Sequence, residues 1–456
     1  MPRSQVSAPI AFEPVAHDST PIPFADLGLD DRLTRALTEH QFEKTTPVQS
    51  AVFPHVMSGI DLVGCAETGT GKTAAFLLPI MQRLLDAQLD AKDAGETRPQ
   101  ATRVLVLAPT RELALQIEED FQGLGYHTGL SGAAVFGGVA AGPQDRALRA
   151  GVDLIVATPG RLLDHMNSNA ADFSSLEVLV LDEADRMLDM GFWPDVRRIV
   201  STLPPTRQTL LFSATMSDEV TRSASQIMRD PKLVQIGRTG GLATTITHEA
   251  HIVATSGDKV QWLTNFLRKA HEPTIVFVRM KIQADRLGRR LADGRIRMAT
   301  LHADRSQEQR LAAVEGFRSG RVKVLVATDI AARGLDIDDI GYVINYEVPG
   351  SVDTYVHRVG RTGRAEQTGH ALTLAAPDEL PALRALEKAL KLQLIDAAEL
   401  EALTNARNGN GNGASRHGHG HAEASTSRAS EAQPAETEVE AVEAEVSTEQ
   451  PAELSN

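Results

Sequence analysis

Residues 61–85 read DLVGCAETGTGKTAAFLLPIMQRLL: an apolar run, a turn of small and polar residues, then a long stretch of good helix formers. Strand, glycine-rich loop and helix in that order are the context that makes a Gly-Lys-Thr sequence a phosphate-binding loop. Gly69 and Gly71 let backbone N–H groups approach phosphate oxygens closely, and the helix N-terminus adds the positive end of its dipole. On this reading Thr68, Gly69, Thr70 and Gly71 surround the phosphates. Lys72 reaches the β- and γ-phosphates, and the Thr73 hydroxyl holds Mg2+. Ala66 stands where the generic pattern begins with Gly. An accidental glycine-rich turn is the competing account, and the flanking strand and helix argue against it.

Outward from this loop, short apolar runs alternate with helical stretches. Before residue 238 they are LVGCA (62–66), VLVLA (104–108), DLIVA (153–157), EVLVLD (177–182) and QTLLFSA (208–214). After it they are TIVFV (274–278), RMATLH (297–302), KVLVA (323–327), YVINY (342–346) and HALTLA (370–375). Continuous apolar runs suit strands buried on both faces, and alternation with helices implies right-handed βαβ units in parallel sheets. The fold expected is α/β: two tandem domains, each a parallel sheet with helices on both faces. The divisions read as a disordered arm (1–22), a first domain (23–238), a linker (239–245), a second domain (246–400) and a disordered acidic tail (404–456). The polar stretch 86–102 reads as a surface insertion.

Nearly every apolar run ends in a polar cluster, and the carboxyl ends of parallel strands form the ligand crevice. Asp182-Glu183-Ala184-Asp185 follows VLVL. Asp182 is placed to hold Mg2+ and Glu183 to orient and deprotonate an attacking water. Taken alone, these acids also suit a helix N-terminus. Far away stands His357-Arg358-Val359-Gly360-Arg361-Thr362-Gly363-Arg364. Arg361 and Arg364 share a face if helical, and guanidinium groups suit the spread charge of a transferring phosphoryl group. The bland reading is a basic surface turn. If these arginines act on the nucleotide, the active site needs both domains, and hydrolysis is gated by their closure.

Composition narrows the class. The chain has 456 residues, 42% hydrophobic and 23% charged, which excludes wholesale disorder and collagen. Cys65 is the single cysteine, so no internal disulfide exists and a reducing, cytoplasmic setting is expected. No apolar run reaches the ~18 residues that read as a membrane span, and the N-terminus lacks a signal-like apolar core. The net charge of -14 argues against binding nucleic acid by bulk charge. The charge is uneven, however: residues 1–244 carry -9, 245–400 carry +2 and 401–456 carry -7. The Gly/Asn/His stretch with His417, His419 and His421 reads as low complexity, and Cys65 as a small buried hydrophobe.

Together these motifs resemble the DEAD-box RNA helicases of superfamily two, over about residues 24–395, and DEADRMLDMGF resembles the bacterial RhlE-type subgroup. Phe24 and the stretch Phe42-Glu43-Lys44-Thr45-Thr46-Pro47-Val48-Gln49 look like the family's adenine-reading motif. The resemblance implies that Gln49 reads the base edge and that the upstream aromatic, Phe24, stacks on it. Gln49 has both donor and acceptor for that edge. Phe42 reads as core. Further implied roles are ribose contact for Asp336 and coupling of hydrolysis to unwinding for Ser213, Thr215, Asp185, His357 and Arg358. RNA contact is implied for Pro109, Thr110, Arg111, Gly138, Thr158, Pro159, Gly160 and Arg161, and for His302, Thr328, Asp329, Arg333 and Gly334 in the second domain. The implied ligands are ATP, Mg2+ and RNA bound through its backbone. Proteins of RNA decay or ribosome assembly are the implied partners, and no membrane is involved. Aromatics are only 4% of the chain, which fits phosphate and sugar contacts better than a base-stacking platform. Two other readings stay open: an ATP-gated RNA clamp that unwinds little, and a DNA-translocating motor.

Overall fold

The structure, a computed structural model, describes residues 12, 14–67, 69–96, 99–237, 245–332, 340–363 and 368–396. The first lobe holds β1 (Leu62–Cys65), β2 (Val104–Leu107), β3 (Gly132–Val135), β4 (Leu154–Ala157), β5 (Val178–Leu181), β6 (Gln208–Ser213) and β7 (Lys232–Gln235). These form one sheet in the order β3-β4-β2-β5-β6-β1-β7, every pair parallel. The second lobe holds β8 (Ile246–Ile252), β9 (Thr274–Val278), β10 (Met298–Leu301), β11 (Val324–Thr328), β12 (Tyr342–Asn345) and β13 (Gly369–Ala375). Its order is β10-β11-β9-β12-β13-β8, again all parallel. These are the two tandem parallel-sheet domains the alternating pattern implied, in the RecA-like form that the resemblance to DEAD-box helicases implied.

Burial on both faces explains why the strands read as unbroken apolar runs. In the first lobe Leu62, Val104, Val106, Leu210 and Phe212 point into one core. Their neighbours Val63, Leu105, Leu107, Leu179 and Leu211 point into the other. Gly64 interrupts the run because a Cβ there would lie 2.6 Å from the Phe212 ring.

Three strands escape a reading by apolar runs. β3 is Gly-Ala-Ala-Val, β7 has the exposed Lys232, and β8 (Ile-Thr-His-Glu-Ala-His-Ile) alternates because part of one face stays open. The polar stretch expected as an insertion is partly helix: Lys72–Asp93 runs on through Ala, Leu, Gln and Lys, and ends before Gly95. Pro14 to Ile22, within the segment read as an arm, runs along the first lobe. Val15 donates to the Leu233 carbonyl at 2.9 Å, and Ile22 to the Thr45 hydroxyl at 2.8 Å. Residues 238–244, nearly the whole linker, and residues 404–456, the tail, lie outside the described residues.

Candidate functional site

The phosphate loop leaves β1 and enters its helix at Gly71, whose left-handed φ of 88° closes the turn. Lys72 is buried, and its ammonium donates to the carbonyls of Ala66 at 2.7 Å and Glu67 at 2.9 Å. Burial pushes its pKa down, while Asp182, Glu183 and Asp185 oppose that shift. Cys65, just upstream, is buried, and its thiol is pushed up to about 11 by desolvation.

Across from the loop, β5 delivers Asp182, whose carboxyl is pushed up to about 7 by burial and by Glu183, with Lys72 pulling the other way. Its Oδ1 accepts from the Glu183 N–H at 2.9 Å. Glu183 sits at φ 54°, a left-handed conformation that costs a non-glycine residue ~1–3 kcal/mol and is concentrated at functional sites. Its carboxylate contacts the Arg186 guanidinium. Asp185 bonds to the end of β6. One oxygen, Oδ2, accepts from the Ala214 N–H, the Thr215 N–H and the Thr215 hydroxyl, each at 3.1 Å. The Ser213 hydroxyl donates to the Thr215 carbonyl at 2.7 Å. The acidic turn and the end of β6 are therefore joined through Asp185.

A cavity of about 460 Å³ opens over these groups. Its lining includes Gly69, Gly71, Lys72, Thr73, Asp182 and Glu183 from the first lobe, and Arg361 from the second. Gln49 reaches it from helix Pro47–Met57: its Oε1 accepts from Thr46 N–H at 2.8 Å, and its Nε2 donates to the Gly71 carbonyl at 3.2 Å. The two aromatics exchange the environments expected of them. Phe24 is 5% exposed and packs in the core while forming part of the cavity wall. Phe42, read as core, is 53% exposed at the cavity, its ring 6.1 Å from that of His40. Thr73 and Asp182 offer a hydroxyl and a carboxylate, the hard oxygen donors that suit Mg2+.

Arg361 follows helix Val352–Val359 and is buried. Arg358, one turn earlier, fixes that helix. It donates to Asp329 Oδ1 at 2.6 Å and Oδ2 at 2.8 Å, and to Asn345 Oδ1 at 2.9 Å. Asp329, expected among the RNA contacts, thus has its carboxylate engaged by Arg358. His357 lies on the same helix. Sequence reasoning passed over Asn345, which also donates to the Thr373 hydroxyl. Its signal was an amide inside the otherwise apolar run YVINY.

The remaining candidates lie at other turns. Pro109 and Thr110 follow β2, and Thr110 caps helix Arg111–Leu124 by accepting from Leu113 N–H at 3.3 Å. The Arg111 guanidinium packs over Gly138, which has φ 85°. Thr158 and Pro159 start helix Pro159–Asn167, followed by Gly160. Arg161 there donates to Gln144 Oε1 and to the Val139 carbonyl, each at 3.2 Å. Arg111 and Arg161 therefore converge on one glycine-containing turn. In the second lobe His302 is buried against Asp285 at 3.1 Å, and Thr328 ends β11. Thr68, Arg333, Gly334, Asp336 and Arg364 lie outside the described residues.

One further contact crosses between the lobes. Buried Glu112 accepts from Gln307 Nε2 at 3.2 Å and from Arg310 at 2.9 Å. Burial lowers the pKa of Arg310, and Glu112 opposes that effect. Glu112 is the last residue of the PTRE stretch. The spacing of Gln307 and Arg310, one turn apart on a helix, was the available signal for their common face.

A phosphate loop and acidic turn on one parallel-sheet lobe, with a buried arginine from a second lobe lining the same cavity, define a two-lobed nucleotide-hydrolysing protein of the phosphate-loop class. The profile described as "DEAD/DEAH box helicase" matches residues 46–223, and "Helicase conserved C-terminal domain" matches residues 258–366. The Arabidopsis thaliana DEAD-box ATP-dependent RNA helicase 30 is 40% identical over 371 residues, which are 81% of this chain and 62% of that protein. The ATP-dependent RNA helicase CshA of Listeria monocytogenes is 38% identical over 372 residues, 81% of this chain and 69% of that one. Among solved structures, S. cerevisiae Dbp5 bound to RNA and ADP BeF3 superposes with a TM-score of 0.72 at 28% identity, covering 84% of this chain and 99% of that one. Mss116p bound to ssRNA and AMP-PNP gives a TM-score of 0.72 at 27% identity, covering 84% and 80% respectively. The chain belongs to the DEAD-box family of ATP-dependent RNA helicases. No helix among the described residues is long and apolar enough to cross a membrane.

Proposed function

We propose that this chain hydrolyses ATP between its lobes and uses lobe closure to separate short stretches of RNA duplex or to remodel RNA–protein complexes. The observation that carries the reading is the single cavity lined by Lys72, Asp182 and Glu183 from one lobe and by Arg361 from the other. Gln49 reads the adenine edge, and Phe42, the exposed ring, stacks on the base while Phe24 closes the wall from the core side. Thr68 to Thr73 hold the phosphates, and Asp336 the ribose. Thr73 and Asp182 would hold Mg2+, which when bound neutralises developing phosphate charge. Glu183 orients the attacking water and takes its proton, and Arg361 and Arg364 face the transferred phosphoryl group. Asp185, through Thr215 and Ser213, ties the acidic turn to β6. Arg358, with His357 on the same helix, sets the reach of Arg361.

Backbone-directed RNA contact fits Pro109, Thr110, Arg111, Gly138, Thr158, Pro159, Gly160 and Arg161. It also fits His302, Thr328, Arg333 and Gly334, with Asp329 acting through Arg358. Such contacts are largely sequence-independent. The reading extends to the RhlE-like subgroup on the wording DEADRMLDMGF, to partners in RNA decay or ribosome assembly, and to a cytoplasmic setting suited to the lone buried Cys65.

The test is strand displacement from a short RNA duplex with ATP, run beside ATPase assays with RNA and with DNA. Multiple-turnover displacement and selective stimulation by RNA are expected. ATP-dependent RNA binding with no displacement would instead leave a clamp, and equal stimulation by DNA would favour a translocating motor.

A further inference from the structure

The sheet of the second lobe has a second concavity, on the face away from the helix that carries Arg358. Side chains alternate along β8. His248 turns toward that helix and bonds the Tyr355 hydroxyl at 2.9 Å. Thr247, Glu249 and His251 turn the other way and border a groove of about 630 Å³. The sheet therefore separates this groove from Arg361, and a molecule lying in it leaves the nucleotide cavity uncovered.

The groove wall is a row of five rings. His251 stacks on Trp262 (4.5 Å between centroids), Trp262 on Phe266 (5.3 Å), Phe266 meets Tyr342 edge-on (5.1 Å) and Tyr342 stacks on His370 (4.9 Å). The rim carries the exposed carboxylates of Glu249 and Asp396, and among the described residues no lysine or arginine lines it. Of these rings, Trp262, Phe266 and Tyr342 have electron-rich faces that attract ammonium and guanidinium groups where a face is left open; the imidazoles of His251 and His370 do not add to this. Two carboxylates beside them strengthen that preference and repel phosphate. The adjoining strand edge is already covered by the protein itself, since the Leu394 carbonyl receives the Ala250 N–H at 2.7 Å and Ile395 bridges to Ala250, so an occupant of the groove is held by side chains.

We propose that this groove docks an extended, arginine- or lysine-bearing segment of a protein partner, its cations set between the ring row and the carboxylates of Glu249 and Asp396. RNA is disfavoured there because its phosphates would meet the same carboxylates.

The chain has two tryptophans, and Trp262 is the one in the groove. In a Trp193→Phe background its fluorescence therefore reports occupancy. The probes are a dodecapeptide of four Gly-Arg-Ser repeats, its Gly-Glu-Ser counterpart and a uridine oligonucleotide. The arginine peptide should change Trp262 emission saturably, and the glutamate peptide and the oligonucleotide should not. Glu249→Lys combined with Asp396→Lys should weaken the arginine peptide by roughly tenfold or more, and Glu249→Gln with Asp396→Asn by less, both with RNA-stimulated ATPase retained. Equal binding of the two peptides, indifference to both paired substitutions, or saturation by the oligonucleotide instead would each overturn the proposal.

Discussion

The two lobes bring charge to one cavity by different means. In the first, the groups at the phosphate end follow strand ends: Lys72 after β1 and its glycine loop, Asp182 and Glu183 after β5. These groups already satisfy one another or nearby backbone, Lys72 on the Ala66 and Glu67 carbonyls, Glu183 on Arg186. In the second lobe Arg361 stands beyond the end of an eight-residue helix, and its position is inherited from Arg358, clamped by Asp329 and Asn345. The first lobe must exchange internal hydrogen bonds for nucleotide ones. The second presents an arginine whose placement was fixed during folding. Binding is thus expected to depend on the first lobe and rate on the second.

The sharpest way to break this contrast is Arg361→Ala. It should lower the rate of ATP hydrolysis by ~10³–10⁵-fold while nucleotide binding, read with a fluorescent ATP analogue, stays nearly unchanged. Equal loss of both would erase the distinction. Glu183→Gln should lower hydrolysis by ~10²–10⁴-fold and keep ATP-dependent RNA binding, measured by RNA fluorescence anisotropy. Phe42→Ala addresses binding in the first lobe. Loss of a base stack worth ~1–3 kcal/mol should raise the ATP concentration for half-maximal rate with little change in kcat. Phe24→Ala should instead lower the unfolding midpoint, because that ring is core.

The smallest effect concerns protons. Burial raises Asp182 from its ordinary 3.8 to about 7, so between those values the folded empty lobe keeps a proton that the unfolded chain has lost. Stability from this group therefore falls as pH rises from about 4 to about 7. Urea unfolding across that range should show the slope, and Asp182→Asn should flatten it. Calorimetry in buffers of different ionisation enthalpy should detect proton release when Mg–ATP binds near pH 6.5.

The strand-end motifs were legible in sequence because a parallel sheet gathers its carboxyl ends whatever the intervening chain does. Residues whose role depends on the other lobe were less so. Glu112 reads as one more helix-start acid until Gln307 and Arg310, nearly two hundred residues later, are seen against it. Phe42 and Phe24 are chemically alike, and residue type alone does not say which ring the fold encloses. β8 was missed because alternation on a partly open edge strand lacks the apolar continuity that marks its neighbours.

The amide of Gln49 has a consequence for nucleobase choice. Its oxygen already faces the Thr46 N–H and its nitrogen the Gly71 carbonyl, and each atom keeps capacity for one more bond. Adenine can be accepted without disturbing either. Guanine presents two acceptors, O6 and N7, at that edge, so the Gln49 oxygen would face an acceptor; rotating the amide only moves the mismatch and sets donor against donor at Thr46 and acceptor against acceptor at Gly71. If Gln49 reads the base as proposed, discrimination between purines comes from behind the ligand, from the turn proposed to hold its phosphates.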